Sequence, residues 1–380
     1  MNSKSERGSM RVVYVVFEPS GGMRHYAESL HSAMAPVTHS TLVVPAELEK
    51  VTDSHRGWIR KLTQKYNPFY YWRMANVIAR RYDPHLVHVT SATVGLIPFI
   101  AQLYRMRVKV IYTVHDPVPH ERKKRFWDWL VEQYHYSFQM PWVLAKCSGI
   151  HLHSAIHSDM MVEKYGKRHT GRLYIVQHGG GAPRTVAAGE DIPKELEGEN
   201  FIFTFLFFGR IEPYKGLGIL LAAFKRLIDK KVLCRLIIAG SGVMHESTRL
   251  PSNQCIVINR FIKDSEIKSI FLCANVVVLP YLSATQSGVI PLASEFARPV
   301  ICSCIGGLPE MVATGETGLI VPPGNVVALA DAMESMANNP ILVQKMGQKA
   351  RVHMIEHFSW ATVAKQHRAR YENLLVGQEA

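Results

Sequence analysis

The sequence predicts an α/β fold made of two consecutive domains, each a doubly wound parallel sheet. Short continuous apolar runs recur along the chain, as expected of strands buried on both faces. Helix-length segments separate most of them, which is the rhythm of βαβ units. The rhythm breaks once, in a polar stretch containing two prolines, and then resumes. A chain of 380 residues with 47% hydrophobic content is long enough to bury two such cores.

The first apolar run, 12–17, leads through Glu18-Pro19-Ser20-Gly21-Gly22 into a helical stretch over 24–34. Further runs follow at 41–44, 86–90, 108–114, 149–153 and 173–176. Together they define a first domain over 10–182, and the interdomain connection is placed at 183–200. A second series at 201–208, 233–239, 256–258, 276–279, 300–304 and 319–321 defines a domain over 201–355. Its clearest helices are 216–229 and 326–338. A last helix within 356–376 opens around Phe358-Ser359-Trp360-Ala361 with Ser359 as N-cap, and is expected to pack back on the first domain. One large mixed domain is the alternative partition.

The bulk numbers exclude several classes. Disorder and fibrous repeats do not fit this composition. The six cysteines contain no CxxC pair and no zinc-like ladder, so buried thiols in a reducing compartment are expected. Cys302 and Cys304, two apart in an apolar run, would share one face of a strand. The run at 12–17 is too short for a signal-peptide core, and 94–103 is too short to span a bilayer and contains Pro98. The formal charge of +13 is uneven: residues 1–180 hold 24 Lys/Arg against 13 Asp/Glu, and the remainder 20 against 18. The first half therefore suits an anionic partner.

In open α/β sheets, ligands gather where strand-to-helix loops converge at the carboxyl ends of strands. Gly21-Gly22 lies in the first such loop and can aim backbone N–H groups at an anion, although a plain tight turn uses the same residues. It is not GxGxxG, so a dinucleotide cofactor gains no support. The strand ending in Phe208-Gly209-Arg210 continues through Ile211-Glu212-Pro213-Tyr214-Lys215-Gly216 into an apolar helix. Arg210 and Lys215 thus flank one loop, where a guanidinium and an ammonium can meet a diphosphate. Taken alone, such a pair is also what solvated loop cations look like. Ala239-Gly240-Ser241-Gly242 is another strand followed by a glycine-rich turn. After the strand at 276–279, Ser287-Gly288-Val289-Ile290 opens a helix whose N–H groups face phosphate or sugar oxygens.

In this order the motifs resemble family 4 of the retaining glycosyltransferases, the glycogen-synthase-like GT-B group. The resemblance rests on Gly21-Gly22, Asp83-Pro84-His85-Leu86-Val87-His88, Val114-His115-Asp116, Gly209-Arg210 with Lys215-Gly216, and Ala239-Gly240-Ser241-Gly242. It continues through Arg298-Pro299-Val300, Gly306-Gly307-Leu308-Pro309-Glu310 and Gly315-Glu316-Thr317-Gly318-Leu319. It covers roughly residues 10 to 375. The resemblance implies two Rossmann-like domains facing a cleft, with the nucleotide sugar on the second and most of the acceptor on the first. It implies that Arg210 and Lys215 hold the donor diphosphate and that the backbone around Ile262 reads the base. Gly22 would meet sugar and phosphate, and His115 would stand near the donor sugar. On the residues alone, His115 reads as a buried strand-end histidine. His178, in Val176-Gln177-His178-Gly179-Gly180, replaces a Pro-Asn-Gly turn, and its role stays open.

One departure concerns the donor end. Such enzymes usually carry a glutamate, seven residues and a second glutamate, with a glycine three after the first. Anchored on Gly288, those positions fall on Thr285 and Ala293, while Glu295 lies two residues further on. The implied reaction is transfer from a UDP- or GDP-sugar to a saccharide, lipid-linked or small-molecule acceptor, with retention and without a metal or cofactor. A silent nucleotide-sugar-binding subunit and a nucleotide-sugar epimerase are the alternatives. No Asp-x-Asp motif occurs. Two basic segments with interleaved aromatics, 56–73 and 121–130, suit either an anionic membrane surface or a solvated amphipathic helix. A cytoplasmic protein, peripheral at the inner face of the membrane, is therefore expected. RNA or DNA is not an expected partner, because no nucleic-acid module is visible.

Overall fold

A computed structural model describes residues 10–18, 22–45, 66–118, 126–180, 191–197, 202–244 and 254–376. Gly21, the basic run at 56–65 and that at 121–125 lie outside the described residues, as do 181–190 and 198–200 of the expected connection.

The chain forms two compact units, one of Met1–Gln177 with Trp360–Ala380, the other of His178–Ser359. In the first, β1 (Arg11–Val15), α1 (Gly22–Met34), β2 (His39–Val43), α2 (Pro68–Tyr82), β3 (Leu86–Val89), α3 (Leu96–Arg105) and β4 (Lys109–Thr113) alternate. Next, α4 (Phe126–Gln133) runs through a π-helical turn, Tyr134–Gln139, into α5 (Met140–Lys146). After these come β5 (Gly149–Leu152), α6 (Ala155–Tyr165) and β6 (Leu173–Ile175). All six strands are parallel, in the order β2-β1-β3-β4-β5-β6.

The second unit holds β7 (Phe203–Phe208), α7 (Leu217–Asp229), β8 (Cys234–Ala239), β9 (Cys255–Ile258), α8 (Asp264–Leu272) and β10 (Val276–Leu279). It continues with α9 (Val289–Glu295), β11 (Val300–Ser303), β12 (Gly318–Val321), α10 (Val326–Ala337) and α11 (Pro340–Phe358). Its parallel order is β12-β11-β10-β7-β8-β9. The predicted fold class is therefore correct. The second sheet has the 3-2-1-4-5-6 order of dinucleotide-binding folds, with its topological switch between β7 and β10. The first has its switch between β1 and β3.

The plainest inner strands are buried on both faces. Val276, Val277, Val278 and Leu279 are all buried, as are Cys234 through Ala239, and helices cover both sides. The chain crosses between units at Gln177–His178. Residues 191–197, within the stretch read as a connection, instead pack on the second unit. Leu196 is buried in its core, Ser265 Oγ donates to Asp191 Oδ2 (2.8 Å), and Arg260 pairs with Glu195.

The closing helix α12 (Trp360–Val376) packs on α1 in the first unit. Ser359, in extended conformation, separates it from α11. Tyr371 joins a buried hydrogen-bond chain across the sheet: its hydroxyl donates to His88 Nδ1 (2.6 Å), and His88 Nε2 reaches Thr113 Oγ1 (2.7 Å). Thr113 Oγ1 in turn reaches His151 Nδ1 (3.0 Å), and His151 Nε2 donates to the Val176 carbonyl (2.9 Å). The carbonyl only accepts, which fixes each neutral tautomer along the chain. Burial and neighbouring histidines hold the His88 pKa well below the ordinary imidazole value.

The cysteines require one correction. Cys147, Cys234 and Cys302 are buried, but Cys304 is exposed. The strand stops at Ser303, so two-residue alternation does not carry Cys304 to the face of Cys302.

Candidate functional site

At the switch of the second sheet, the loops after β7 and β10 lie against each other. The β7 loop closes in a single 3₁₀ turn, Pro213–Lys215, followed by Gly216 at φ +69°. A Cβ at Gly216 would lie 1.9 Å from the Pro280 carbonyl oxygen, so only glycine allows this approach. Leu282 N–H donates to the Tyr214 carbonyl (2.7 Å), joining the two loops. Lys215 Nζ sits 5.3 Å from the centre of the Tyr281 ring, a cation–π contact. Burial, reinforced by the Arg210 guanidinium and opposed by Glu212, lowers the Lys215 pKa to about 8. Arg210 remains exposed, 3.4 Å from Glu212. The site thus holds one desolvated and one solvated cation on a single loop.

The neighbouring loop after β8 docks on the first. Gly209 N–H donates to the Ala239 carbonyl (2.9 Å), and Ile211 N–H to the Ser241 carbonyl (2.8 Å). Gly240 has φ +148°, and a Cβ there would meet the Gly209 carbonyl oxygen at 2.0 Å. Arg210, Ile211, Glu212, Pro213, Ser241, Gly242 and Val243 line an open concavity of about 530 Å³. Gly240→Ala is expected to destabilise the chain by ~2–4 kcal/mol, read by chemical denaturation, because strain and overlap coincide there.

After β9, Asn259 clamps this loop. Gly242 N–H donates to Asn259 Oδ1 (3.1 Å), and Asn259 Nδ2 donates to the Gly242 carbonyl (3.2 Å). The segment then runs through exposed Phe261 to Ile262, whose side chain is buried in the core. Arg260 forks onto Glu266 (2.8 and 2.6 Å), and Lys263 N–H donates to Glu266 Oε2 (3.0 Å), which fixes that backbone. The paired guanidinium holds the Glu266 carboxyl below its ordinary value.

Ser287, Gly288, Val289 and Ile290 form the entry to α9. Ser287 is buried, and its Oγ accepts from Val289 N–H (3.3 Å); Gly288 is exposed, with open space where a Cβ would lie. Ile290 is buried. Gly307 N–H donates to the Thr285 carbonyl (2.9 Å), tying the loop after β11 to the same rim. Ala293 is fully buried among core residues, whereas Glu295 is part-exposed. Gly209, Arg210, Lys215 and Gly240 are thus brought together on adjoining loops, with the α9 entry following Tyr281 on the β10 loop.

In the first unit, His115 lies just past β4 and Gly22 starts α1, exposed. His115 Nε2 is 2.9 Å from the Thr90 carbonyl, which only accepts, so that nitrogen carries the proton. In the neutral ring, Nδ1 then accepts from His153 Nε2 (3.0 Å). The Tyr26 ring packs edge-on against both imidazoles. His178, in the second unit, keeps Nδ1 2.8 Å from the Gly179 carbonyl, and burial lowers its pKa. Sequence reasoning does not single out Asn259, Tyr281 or His153. An asparagine directly after a strand is the signal that could have flagged the first. Among the described residues, no cluster of three His, Cys, Asp or Glu side chains could hold a metal ion, and no helix is long and apolar enough to cross a membrane.

The family model described as Glycosyltransferase Family 4 matches residues 16–179, and that described as Glycosyl transferases group 1 matches residues 202–339. A D-inositol 3-phosphate glycosyltransferase of Corynebacterium glutamicum (strain R) is 31% identical over 189 residues, 45% of this chain and 44% of that protein. A glycogen synthase of Mycobacterium tuberculosis (strain CDC 1551 / Oshkosh) is 27% identical over 228 residues, 59% of this chain and 53% of that protein. The chain spans about half the length of these curated relatives. Among solved structures, the sucrose-phosphate synthase (tll1590) from Thermosynechococcus elongatus aligns with a TM-score of 0.69 at 17% identity, over 97% of this chain and 100% of that one. Anabaena Alr3699/HepE in complex with UDP aligns with a TM-score of 0.71 at 16% identity, over 96% and 100%. At such identities the structural likeness speaks for the fold alone. With two family models reaching from residue 16 to residue 339 across both sheets, the chain belongs to family 4 of the glycosyltransferases, with the GT-B fold.

Proposed function

We propose that this chain transfers a sugar from a UDP- or GDP-sugar to a saccharide, lipid-linked or small-molecule acceptor, with retention and without a metal. The observation that carries this reading is Lys215, half-desolvated against Tyr281 at the β7/β10 switch, with Arg210 on the same loop. A desolvated ammonium interacts strongly with a diphosphate, and the exposed guanidinium can fold onto its outer oxygens. UDP in the Anabaena neighbour supports the choice of ligand class.

In the proposed reaction, the acceptor hydroxyl oxygen bonds to the anomeric carbon on the face from which the diphosphate leaves. The bond from that carbon to the phosphate oxygen breaks, and the hydroxyl proton passes to the departing phosphate oxygen. Lys215 and Arg210 stabilise the charge that develops on that oxygen. Gly209 and Gly240 let the backbone come close to the phosphates, the 260–263 backbone meets the base, and Ser287 through Ile290 face the sugar. His115, orientated by Thr90 and His153, and Gly22 are assigned to the sugar side.

A second reading, a nucleotide-sugar-binding subunit without turnover, rests on Thr285 and Ala293 standing where related enzymes carry glutamates. A thermal-shift panel of UDP- and GDP-sugars, followed by proton NMR of the anomeric centre in the product, separates them. A stabilising donor with an axial-to-axial or equatorial-to-equatorial outcome supports retention; an inverted product contradicts it. Stabilisation without product across an acceptor panel favours the silent subunit.

A further inference from the structure

One edge of the second sheet is finished by a side chain instead of by backbone. β9 is the edge strand, with β8 as its neighbour, and the two pair in register from Leu236↔Cys255 to Ala239↔Ile258. Gly240 N–H adds one more bond, to the Ile258 carbonyl (3.0 Å). Past Gly240 the chain turns toward the β7 loop: Gly242 bridges Ile211, and a Cβ at Gly242 would lie 2.1 Å from the Ile211 carbonyl oxygen. There Asn259 takes over from the ladder. Its Oδ1 accepts from Gly242 N–H (3.1 Å) and its Nδ2 donates to the Gly242 carbonyl (3.2 Å). A carboxamide offers an acceptor and a donor side by side, as a peptide group does, and asparagine is the shorter of the two residues that carry one.

Asn259 and Gly242 are both exposed. Hydrogen bonds that water can replace add little to folding, so this pair is not what holds the core together. What it fixes is the distance between two segments. Gly242 lies on Ile211, the residue after Arg210 in the loop assigned to the diphosphate, and lines the concavity together with Arg210 and Ser241. Asn259 itself leads directly into the 260–263 backbone assigned to the base. That backbone is pinned on its far side, where Arg260 and Lys263 N–H both bind Glu266.

A ligand that reaches from one segment to the other needs them at a set span, because a small misplacement weakens every contact at one of its ends. We propose that, given the donor site assigned above, Asn259 is a positioning residue that holds the base-facing segment and the diphosphate loop at the span of a nucleoside diphosphate. It touches neither end of the ligand and acts through Gly242 and Ile211.

The test is calorimetric titration of UDP, GDP and inorganic pyrophosphate into the full chain as wild type, Asn259→Ala and Asn259→Asp. The aspartate variant keeps the shape and still accepts from Gly242 N–H, but sets a carboxylate against the Gly242 carbonyl, so both variants break the pair. The wild type is expected to bind at least one nucleoside diphosphate, and both variants to bind it about tenfold more weakly. Pyrophosphate, which needs the diphosphate loop alone, is expected to bind all three proteins equally. In nucleotide release, the donor KM is expected to rise by a similar factor while kcat stays within about twofold. Unfolding midpoints are expected to stay close to that of the wild type, since the position is exposed. Unchanged nucleoside diphosphate binding in both variants overturns the proposal and leaves the donor site standing. Equal weakening of pyrophosphate, or a fall in kcat as large as the rise in KM, also overturns it, by making the pair a general support of the fold. A wild type that binds none of the three ligands overturns the donor site and the proposal together.

Discussion

Lys215→Met is expected to lower kcat/KM for donor turnover by ~10²–10³-fold while raising the stability of the chain. Both effects come from one cause, an ammonium held away from water with Arg210 nearby. Its pKa is about 8 in the folded chain against 10.5 for the free side chain. Below about 8 the folded state carries the full cost of the buried charge. Between about 8 and 10.5 the folded lysine is neutral while the unfolded one still binds a proton, so stability rises with pH through that window. Above it the two states bind equally and the cost has vanished. Removing the charge at neutral pH therefore gains on the order of 2 kcal/mol, read as a higher denaturation midpoint. Activity runs the other way: kcat/KM of the wild type is expected to fall as pH rises through about 8, because the free enzyme loses the ammonium. A bound diphosphate raises the lysine pKa, so kcat should hold to higher pH than kcat/KM. A flat kcat/KM profile across this range would remove Lys215 from the donor site.

Ala293→Glu carries the second large effect. The alignment on Gly288 invites this substitution as a restoration of the missing carboxylate. In the folded chain, Ala293 is fully buried among Ile290, Leu292 and the core beneath α9, and its carbonyl accepts from Arg298 N–H (2.9 Å). A carboxylate there would be desolvated without a partner, at a cost of about 3 kcal/mol or more. The variant is expected to unfold at clearly lower denaturant and to bind donors no better than the wild type. Wild-type stability together with tighter nucleotide binding would instead show that position 293 opens onto the ligand.

The strands were legible because parallel strands covered on both faces are continuous apolar runs; 276–279 is the plainest case. The loop proposed to hold the diphosphate was legible because its glycines and two cations lie within eight residues of one another, from Gly209 to Gly216. Helix α11 was not singled out. Its inward positions, Val343, Met346, Gly347, Ala350, Met354 and Phe358, keep the helical period but use small residues and methionine, which mark an apolar face weakly. The convergence of loops was not legible either. That β7 lies beside β10, so that Lys215 meets Tyr281, is set by strand order, which local patterns do not encode. The same holds for Asn259 on Gly242 and for the His88–Thr113–His151 chain, where polar residues occupy apolar-looking strands.

In the proposed reaction, the loop from Gly209 to Gly216 holds the diphosphate of a sugar donor during transfer. The most direct measurement is nucleotide release from a panel of UDP- and GDP-sugars by the wild type, Arg210→Ala and Lys215→Ala, with folding verified for each. The wild type is expected to release nucleotide from at least one donor, with a severe loss in Lys215→Ala and a smaller one in the solvated Arg210→Ala. Release that is undiminished in both folded variants would contradict it.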